Sequence, residues 1–599
     1  MAARQSGKSS GTKKSSRGGR SSGSRPAAKA KRSPTDHQEI EWQFDVAEVE
    51  PIEDWLGQHS SGSGLVVDPG STEEITDTYY DTGDWRFYRA GYALRVRKTG
   101  NEVESTMKSL TPSEGNVRRR REISESLKDD KPSTLGKAPG PVGEISRALL
   151  GGHEISPMFR IQTRRRIFAL LLRGDGEGSN GALEDDSNDV RIGEVLLDTS
   201  EIPLGEGEEP IRLRRVEVEA SIGTAPTPDL RGFVDEMQFN LELSPTSISK
   251  YEAGLYATGL SPDGVAELGP TGLDPSMSVG EVAFAVLRRQ LAEMQAHESG
   301  TRLGEDPEEL HDMRVATRRM RAAMKVFEGA LPERAKWFRE ELRWVAGSLE
   351  EVRDLDVQTG RLEAWKKEAD EEGSEFLGKI LDVMDKRRAN ARKNMLEVLD
   401  SGRYERLESS FAEMLRRGPG AERELAQDNG HGPAQEPITA AAPALLLSRY
   451  RKWSKAAGRL DETSSPEAFH DLRKKGKRLR YALEFVSEIY GKPVRKLVKP
   501  LKALQDDLGN HQDAIVAAGL LREIGTTTGG TRISRGAAFT MGVYSERYAR
   551  EATELRSGVP RSRPFRALAK GKEWKDFEKA MKDARKSQDK ARGSGKAVR

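Results

Sequence analysis

The sequence predicts an α+β multidomain protein, with an N-terminal antiparallel β-barrel followed by a C-terminal all-α domain of two repeated helical bundles. Three observations predict this fold class. The chain has 599 residues, which is too long for a single core. Apolar and polar residues alternate with period two up to about Gly254, and after Ser278 the period becomes that of amphipathic helices. The helical part also contains an internal repeat.

The composition narrows the classes of function. The chain has no cysteine, which excludes disulfides, thiolate nucleophiles and cysteine-based zinc or iron–sulfur sites and fits a reducing cytoplasm. Charged residues make up 32% of the chain but the net charge is only +2, so any charge-dependent function rests on local clusters. No apolar run approaches the roughly 20 residues of a membrane span, so we expect a cytoplasmic protein without a membrane partner.

Changes in composition and periodicity divide the chain into segments. The ends are rich in basic residues, and Gly and Pro cluster at two internal positions that we interpret as linkers. The predicted segments are a disordered basic tail (1–36), a β-rich domain (37–258), a linker (259–277), a helical domain (278–555) made of two repeats (278–417 and 438–555) with their own linker (418–437), and a basic C-terminal tail (556–599).

Pairs of polar residues two positions apart recur in the predicted strands. Strand geometry places both members of such a pair on one face of the sheet. The ordinary interpretation of any single pair is the polar outer face of a half-buried sheet. The alternative is a barrel with a charged interior, where basic residues bind phosphate oxygens and carboxylates bind a hard divalent cation. Such an interior suits metal-assisted hydrolysis of a phosphoanhydride, and the chain has no Walker P-loop. The pairs are Glu39/Glu41, Arg95/Arg97, Thr106/Lys108 and Glu217/Glu219.

The helical part carries one basic pattern twice, at a constant offset. Its cations are spaced i, i+3, i+7 and i+10, which places them on one face of a helix. Like charges along one face repel, and a bound polyanion would neutralise them, with Arg offering bidentate contacts to phosphate. A solvated basic face is the alternative, and ion pairs to Asp354, Asp356 and Asp513 are a third. The repeated cations are His311, Arg314, Arg318 and Arg321 in the first copy and His470, Arg473, Lys477 and Arg480 in the second.

These paired helices resemble the CHAD family over roughly residues 278–550. A shorter element follows each of them, Arg353–Asp356 in the first copy and Asn510–Asp513 in the second. The resemblance implies an all-helical domain of two similar bundles whose basic helices together bind inorganic polyphosphate. It therefore implies that the eight repeated cations are polyphosphate-binding residues, with Arg319 and Arg478 slightly off the basic face.

The β-rich part resembles the CYTH, or triphosphate tunnel, family over about residues 37–258. Each motif is weak alone, but the ordered set is specific. The motifs are Glu39-x-Glu41, Tyr80–Thr82, Leu94–Arg97, Thr106–Lys108, Arg120–Glu122, Thr163–Arg166, Asp198, Glu217-x-Glu219 and Ser249–Tyr251. The family's opening motif is Glu-x-Glu-x-Lys, and this chain departs from it with Gln43 in place of the lysine.

The second resemblance implies an eight-stranded closed tunnel that binds triphosphate together with Mg²⁺ or Mn²⁺. Among three consecutive arginines, the Thr-x-Arg spacing favours Arg165 over Arg164 and Arg166. Glu122 and Asp198 are further carboxylates expected in the lumen. The resemblance assigns metal binding to Glu39, Glu41, Glu217 and Glu219, substrate binding to Arg95, Arg97, Lys108, Arg165 and Lys250, and catalysis to Glu39, Glu41 and Lys108.

Together these interpretations predict an inorganic triphosphatase joined to a polyphosphate-binding domain. We expect it in the cytoplasm, and association with polyphosphate granules is left open. Because Gln43 cannot supply the lysine's charge, a non-catalytic polyphosphate-binding protein with a degenerate tunnel is a second hypothesis. A nucleic-acid-binding protein is a third, disfavoured because the basic helices have few aromatic residues for base stacking. The preferred triphosphate and the oligomeric state are left open.

Overall fold

The structure is a computed structural model that describes residues 34–59, 64–111, 117–173, 189–205, 207–223, 225–246, 248–262, 268–426, 432–526 and 535–596. Most of the predicted N-terminal tail (1–36) and nearly all of the acid-rich segment 174–189 lie outside these residues.

The N-terminal part of the described chain is a closed barrel of eight strands. They are β1 (Thr35–Asp45), β2 (Leu65–Thr82), β3 (Tyr92–Thr99), β4 (Glu102–Ser109), β5 (Val117–Ser126), β6 (Ile155–Leu172), β7 (Val190–Ile202) and β8 (Ile211–Ala220). Their order around the barrel is β1-β5-β4-β3-β2-β6-β7-β8, and all neighbours are antiparallel. The predicted fold class is confirmed.

The barrel is apolar outside and charged inside, because of the period-two pattern of its strands. On β1, Trp42 and Phe44 face outward into a buried cluster with Phe233 and Met237. The alternate residues of β1 face the lumen. Helices cover the apolar outer surface, namely α1 (Glu50–Gln58), α2 (Arg86–Arg89), α3 (Pro132–Leu135), α4 (Pro141–Leu150), α5 (Pro228–Asn240) and α6 (Lys250–Thr258).

The C-terminal part is entirely helical in its described residues, apart from short turns and 3₁₀ segments. The helices are α7 (Val279–Leu303), α8 (Pro307–Val326), α9 (Ala335–Glu368), α10 (Glu371–Leu399), α11 (Gly402–Ala426), α12 (Ile438–Ala457), α13 (Pro466–Glu484), α14 (Ser487–Tyr490), α15 (Lys492–Thr526), α16 (Arg535–Gly558), α17 (Arg563–Lys570) and α18 (Lys572–Lys596). The helix pairs α7–α8 and α12–α13 carry the two copies of the repeat. Apolar residues of both copies, including Met313, Met320, Leu472 and Leu479, share one hydrophobic core.

Two expectations about the helical part were wrong. Residues 556–599, predicted as a basic tail, form α17 and α18 as far as Lys596, and Trp574, Phe577 and Met581 are buried in the main core. Their spacing of i, i+3 and i+7 gives α18 one apolar face, which its many basic residues obscured.

The predicted linker 418–437 is also helical in its first part. Residues 418–426 continue α11 after a kink at Gly418, where φ is +74°. Only glycine adopts this backbone conformation at little cost, and Pro419 can occupy the first turn of a helix. Gly418 therefore interrupts the helix, and Pro419 lies in the first turn of a second helical stretch that runs to Ala426. Among the described helices, none combines the length and apolar character needed to cross a bilayer.

Candidate functional site

The barrel lumen, which we call the tunnel, contains all of the tunnel residues predicted to bind metal or substrate. Strand register explains their convergence, because Glu41 of β1 lies opposite Glu219 of β8 and Gln43 lies opposite Glu217. Helix α6 adds Lys250 next to its N-cap Ser249, whose hydroxyl accepts a hydrogen bond from the Glu252 amide. The charged residues that line the tunnel are Glu39, Glu41, Arg95, Arg97, Lys108, Arg120, Glu122, Arg165, Glu217, Glu219 and Lys250.

Three carboxylates form a cluster on one side of the tunnel. One oxygen from each of Glu39, Glu41 and Glu219 lies within 4.8 Å of the others. Burial and then the charge of Glu41 raise the pKa of Glu39 to about 7, and burial and then Glu39 raise the pKa of Glu219. Glu39 Oε2 is buried and has no hydrogen-bond partner among the described residues. This acidic cluster fits a hard divalent cation, which would remove the repulsion between its members.

Glu217, expected in the same metal site, lies outside the acidic cluster and is surrounded by cations. Its carboxylate is 3.0 Å from Arg165 Nη2 and 3.1 Å from Lys250 Nζ. Gln43 Nε2 also donates a hydrogen bond to it over 3.1 Å. Although burial raises the pKa of Glu217, Lys250 and Arg165 hold it well below its usual value. Glu217 is therefore placed to orient the side chains of Arg165 and Lys250.

The arginine that faces the tunnel is Arg165. Its guanidinium donates to both oxygens of Asp198, over 2.8 and 2.6 Å. Its neighbours point outward, Arg164 toward Glu74 and Arg166 toward Glu53. The period of two along β6 requires this alternation.

Lys108 lies between two carboxylates at the edge of the acidic cluster. Its Nζ is 2.6 Å from Glu39 and 2.7 Å from Glu122. Burial lowers the pKa of Lys108, but Glu122 and Glu39 together raise it above its usual value. The side chain is therefore a fixed cation beside the cluster. On the neighbouring strand β3, Arg97 donates to both oxygens of Asp77 over 2.8 Å each.

Sequence reasoning missed several charged residues of the tunnel wall, Arg120 and Asp77 among them. Arg120 donates to Glu41 and lies 3.9 Å from Glu39, in contact with the acidic cluster. Asp77 holds Arg97 in place. The signal for Arg120 was its spacing of two from Glu122, but four consecutive arginines at 118–121 concealed it. Asp77 is one of five acidic residues in β2, and no local signal distinguishes it from the others.

The two basic faces of the helical domain, on α8 and α13, meet each other. Burial, and then repulsion from Arg473, Arg318 and Arg314, lowers the pKa of Lys477 to about 8. Because Arg314 and Arg318 belong to α8 and Lys477 to α13, the two faces form one site, which we call the basic groove. The Tyr481 ring lies between them, 5.7 Å from the Arg318 guanidinium and 5.1 Å from that of Arg480.

Several cations of the basic groove have buried polar atoms without partners among the described residues. They are His311 Nδ1, His470 Nδ1 and the Nε atoms of Arg314, Arg318, Arg321, Arg473 and Arg480. A fully solvated basic face would not leave so many donors buried and unsatisfied. The arrangement suits an anion with many oxygen acceptors.

The proposed ion pairs between the basic faces and the Asp-containing elements are largely absent from the described residues. Asp356 pairs with Arg388 over 2.5 Å, and Asp513 lies 3.6 Å from Arg361. Asp354 carries a pKa raised by burial and by Glu350, which Arg314 only partly offsets. Carboxylates near the groove are Glu350, 3.5 Å from Arg314, and Glu484, 3.6 Å from Arg480 and 2.6 Å from Arg319.

Comparison with known proteins identifies both parts of the chain. Residues 37–249 match the CYTH domain and residues 285–522 match the CHAD domain. No curated protein sequence matches the chain.

Three solved structures illustrate the similarity. The CHAD domain of the plant Ricinus communis is 25% identical, covers 50% of this chain and 96% of its own, and has a TM-score of 0.39. PptA from Streptomyces chartreusis is 21% identical, covers 47% of this chain and 98% of its own, and has a TM-score of 0.37. A Hippeastrum protein described as a candidate adenylyl cyclase with a dominant triphosphatase activity is 16% identical, covers 38% of this chain and 99% of its own, and has a TM-score of 0.26.

Proposed function

Because the chain joins a CYTH domain to a CHAD domain, we propose that the tunnel hydrolyses inorganic triphosphate or a related triphosphate with a divalent metal ion, and that the basic groove binds polyphosphate. One observation carries the proposal. The tunnel contains an acidic cluster beside Lys108, with further cations around it. This is the arrangement that a metal–phosphate substrate requires, since negative oxygens and a divalent ion must be bound together.

The metal ion would be held by Glu39, Glu41 and Glu219. Their carboxylate oxygens are the ligand type that Mg²⁺ and Mn²⁺ prefer. When bound, the ion would neutralise phosphate charge and polarise a phosphoryl oxygen. Glu39 Oε2 is buried and accepts no hydrogen bond from the described residues, which supports this assignment, since a buried carboxylate oxygen requires a cation or a donor.

The cations of the tunnel would bind and orient the phosphate groups. Arg95 and Arg97 are held by Asp77, and Arg165 and Lys250 by Asp198 and Glu217, so their positions are set before substrate arrives. Preorganised cations stabilise charge that develops in the transition state without reorganising. Lys108, beside the acidic cluster, is placed to donate to a phosphate oxygen close to the metal ion.

In the helical domain, the basic groove would bind the oxygens of a longer polyphosphate chain. Donors of both α8 and α13 have no hydrogen-bond partner among the residues that the structure describes, so a single extended anion would contact both repeats. Binding there would concentrate substrate or place the enzyme at polyphosphate bodies in the cytoplasm. Among the described residues, Tyr481 is the ring that the groove arginines contact, and so little aromatic surface favours polyphosphate over single-stranded nucleic acid.

The test of hydrolysis is phosphate release from tripolyphosphate by the purified full chain with Mg²⁺ or Mn²⁺. We expect Glu39→Gln and Glu41→Gln each to lower the rate by at least about 100-fold, because even outer-shell partners of metal ligands contribute 10–100-fold. The matched control is Glu201→Gln, on the outside of β7, where Glu201 pairs with exposed Arg212. Wild-type rates in both tunnel variants would exclude this site.

A specific observation favours a second function. Gln43 takes the place of the lysine in the opening motif, and it is hydrogen-bonded to Glu217 inside the tunnel. Without that charge the tunnel could bind a triphosphate and not hydrolyse it. Tripolyphosphate binding by the wild-type chain with no phosphate release, with either metal ion, would establish this non-catalytic function.

A further inference from the structure

Arg118 is a buried cation on the inner face of the barrel wall that the proposed function does not yet use. It lies on β5 opposite Glu41 of β1, and it shares the inward face with Arg120 two residues on. Arg118 is only 4% exposed, whereas the adjacent Arg119 points outward and is exposed. The side chain therefore lies on the lumen side of the barrel wall.

The guanidinium of Arg118 lacks the partners that a buried charge requires. Its Nε and Nη2 atoms are buried and have no hydrogen-bond partner among the described residues. The nearest carboxylate across the strands, Glu41, already accepts a hydrogen bond from Arg120. Burial and then the charge of Arg120 lower the pKa of Arg118, so its surroundings in the free protein oppose its charge. Burying an unpaired arginine reduces the free energy of unfolding unless a ligand supplies the missing hydrogen-bond acceptors.

Arg118 lies near the end of β1 at which the inward-facing residues change from the acidic Glu39 and Glu41 to the neutral Gln43. Gln43 is the next inward residue after Glu41, and its position is diagonal to Arg118 across the two strands. A second buried arginine, Arg215, lies at this end. It is 2% exposed, its Nε donates to Asp45 over 2.8 Å, and its Nη1 has no partner among the described residues.

The charges that surround Arg118 do not neutralise it. The groups that act on it are Arg120, Glu41, Glu252 and Arg215, two cations and two carboxylates. Of the carboxylates, Glu41 is bound by Arg120, and Glu252 accepts the hydrogen bonds of the Ser249 cap. This end of the tunnel therefore has spare N–H donors and positive charge, and its one buried acceptor without a partner among the described residues is the uncharged Oε1 of Gln43.

We propose that Arg118 is a further substrate-binding residue, which supplies beside the neutral Gln43 the positive charge that binds one phosphate group of the triphosphate. The inference rests on the proposed function and names the residue that completes its binding site. In the family's opening motif a lysine would stand at position 43. In this chain Arg118 of the neighbouring strand β5 supplies the positive charge instead. Its planar guanidinium offers two donors to one phosphate, whereas a lysine acts as a point charge.

The test measures binding of tripolyphosphate to the full chain by calorimetry in EDTA, where no metal-dependent turnover occurs. All variants carry Arg473→Gln and Lys477→Gln, so that the basic groove contributes little. We expect Arg118→Gln to weaken binding about tenfold or more, as for a lost charge-assisted hydrogen bond. Arg118→Lys should retain part of the affinity. The matched control is Arg119→Gln, on the same strand but the opposite face, which should bind as the parent does.

Rescue separates a role in binding from a role in folding. Adding Gln43→Lys to Arg118→Gln should restore most of the lost affinity, because it returns a cation to the same end of the tunnel. Thermal unfolding of Arg118→Gln should not occur at a lower temperature, since removing an unpaired buried charge does not destabilise a fold. Parent-like binding by Arg118→Gln, failure of the rescue, or a lowered unfolding temperature with unchanged affinity would each overturn the inference.

The outcomes also distinguish this inference from the proposed hydrolysis. A wild-type chain that binds tripolyphosphate through Arg118 but releases no phosphate would refute hydrolysis and leave Arg118 as a binding residue. A chain that hydrolyses tripolyphosphate and binds it normally without Arg118 would refute only the inference. Absence of any binding by the parent in EDTA would overturn the inference alone, because hydrolysis is tested separately by phosphate release with Mg²⁺ or Mn²⁺.

Discussion

At the scale of single residues, burial and neighbouring charge decide what a side chain can do. Lys477 illustrates this in the basic groove. An exposed lysine is protonated at every physiological pH. Burial, together with the repulsion of Arg473, Arg318 and Arg314, lowers the pKa of Lys477 to about 8. Its charge therefore depends on pH in a range where the neighbouring arginines remain fully charged.

Lys477 should make polyphosphate binding depend on pH. Below pH 8 the free protein carries the charged lysine, and above it the lysine is mostly neutral. A bound polyanion favours the charged form, so binding above pH 8 requires uptake of a proton and affinity should fall as pH rises. We expect a decrease of roughly tenfold between pH 7 and pH 9, measured with labelled long-chain polyphosphate.

Lys477→Arg is the matched control for this pH dependence. Because arginine keeps its charge, the variant should bind with nearly constant affinity over the same range. His311 does not interfere, since its pKa is lowered from an ordinary value near 6.5 by burial and by Arg353. An equal pH dependence in the wild type and the variant would assign the effect to another group.

Residue identities in the tunnel were predictable where the spacing was distinctive. Arg165 was distinguished from Arg164 and Arg166 by its distance from Thr163, and the structure places it in the tunnel. The partners of each charge were not predictable. Glu217 shares a strand face with Glu219, yet it lies against Lys250, which is supplied by a separate helix.

At the scale of elements, the important arrangement is the meeting of α8 and α13. Each helix has the same basic spacing, which identified it in the sequence. That the faces form one groove follows from the shared core, in which Met313 and Met320 of α8 and Leu472 and Leu479 of α13 are buried together. Each helix thus buries an apolar face and presents its cations beside the other helix.

One groove formed by two helices predicts a particular response to mutation. The double variant Arg314→Gln/Arg318→Gln on α8 should weaken all polyphosphate binding, by about tenfold or more. Arg473→Gln/Lys477→Gln on α13 should do the same. Calorimetry should show an unchanged number of binding sites in each double variant, with every site weakened.

The alternative is two independent sites, one on each helix. In that case each double variant would lose about half of its binding capacity and keep the remainder at wild-type affinity. Arg478→Gln is the control, because Arg478 is exposed on α13 and lies off the basic face. It should leave both affinity and stoichiometry unchanged.

At the scale of the whole molecule, polar contacts join the barrel to the helical domain. Glu305, between α7 and α8, accepts hydrogen bonds from Tyr92 over 2.9 Å and from Arg121 over 2.5 Å. Arg86 of α2 lies 3.6 Å from buried Glu298 of α7. Arg121 is the outward neighbour of Arg120, so the helical domain rests on the outside of a strand that lines the tunnel.

The buried and exposed contacts of this interface should differ in their effect on stability. Glu298 binds Arg302 and the Tyr404 hydroxyl over 2.7 Å each. Its removal leaves the buried Tyr404 hydroxyl and Arg302 Nε without this acceptor, although Arg302 keeps Asp400 as a partner. We expect Glu298→Ala to lower the free energy of unfolding by about 2–3 kcal/mol. Glu305→Ala, at a solvent-exposed pair, should cost about 1 kcal/mol or less.

Urea unfolding followed by circular dichroism would measure both changes. The exposed pair is the control for the buried one, because both glutamates lie near the C-terminal end of α7 and contact the barrel. Equal destabilisation by the two substitutions would show that burial does not govern the strength of this interface.

The sequence by itself determined the architecture and the chemical character of both sites. Period-two alternation specified the strands and the charged lumen, and the doubled basic pattern identified the helical repeat, because both are local periodicities. Only the tertiary structure decided which charges meet. It placed Arg118 and Arg120 beside Glu41, separated Glu217 from the acidic cluster, joined the faces of α8 and α13, and buried α18 where a tail was expected. Contacts between residues distant in sequence depend on strand register, barrel closure and helix packing, which no local pattern encodes.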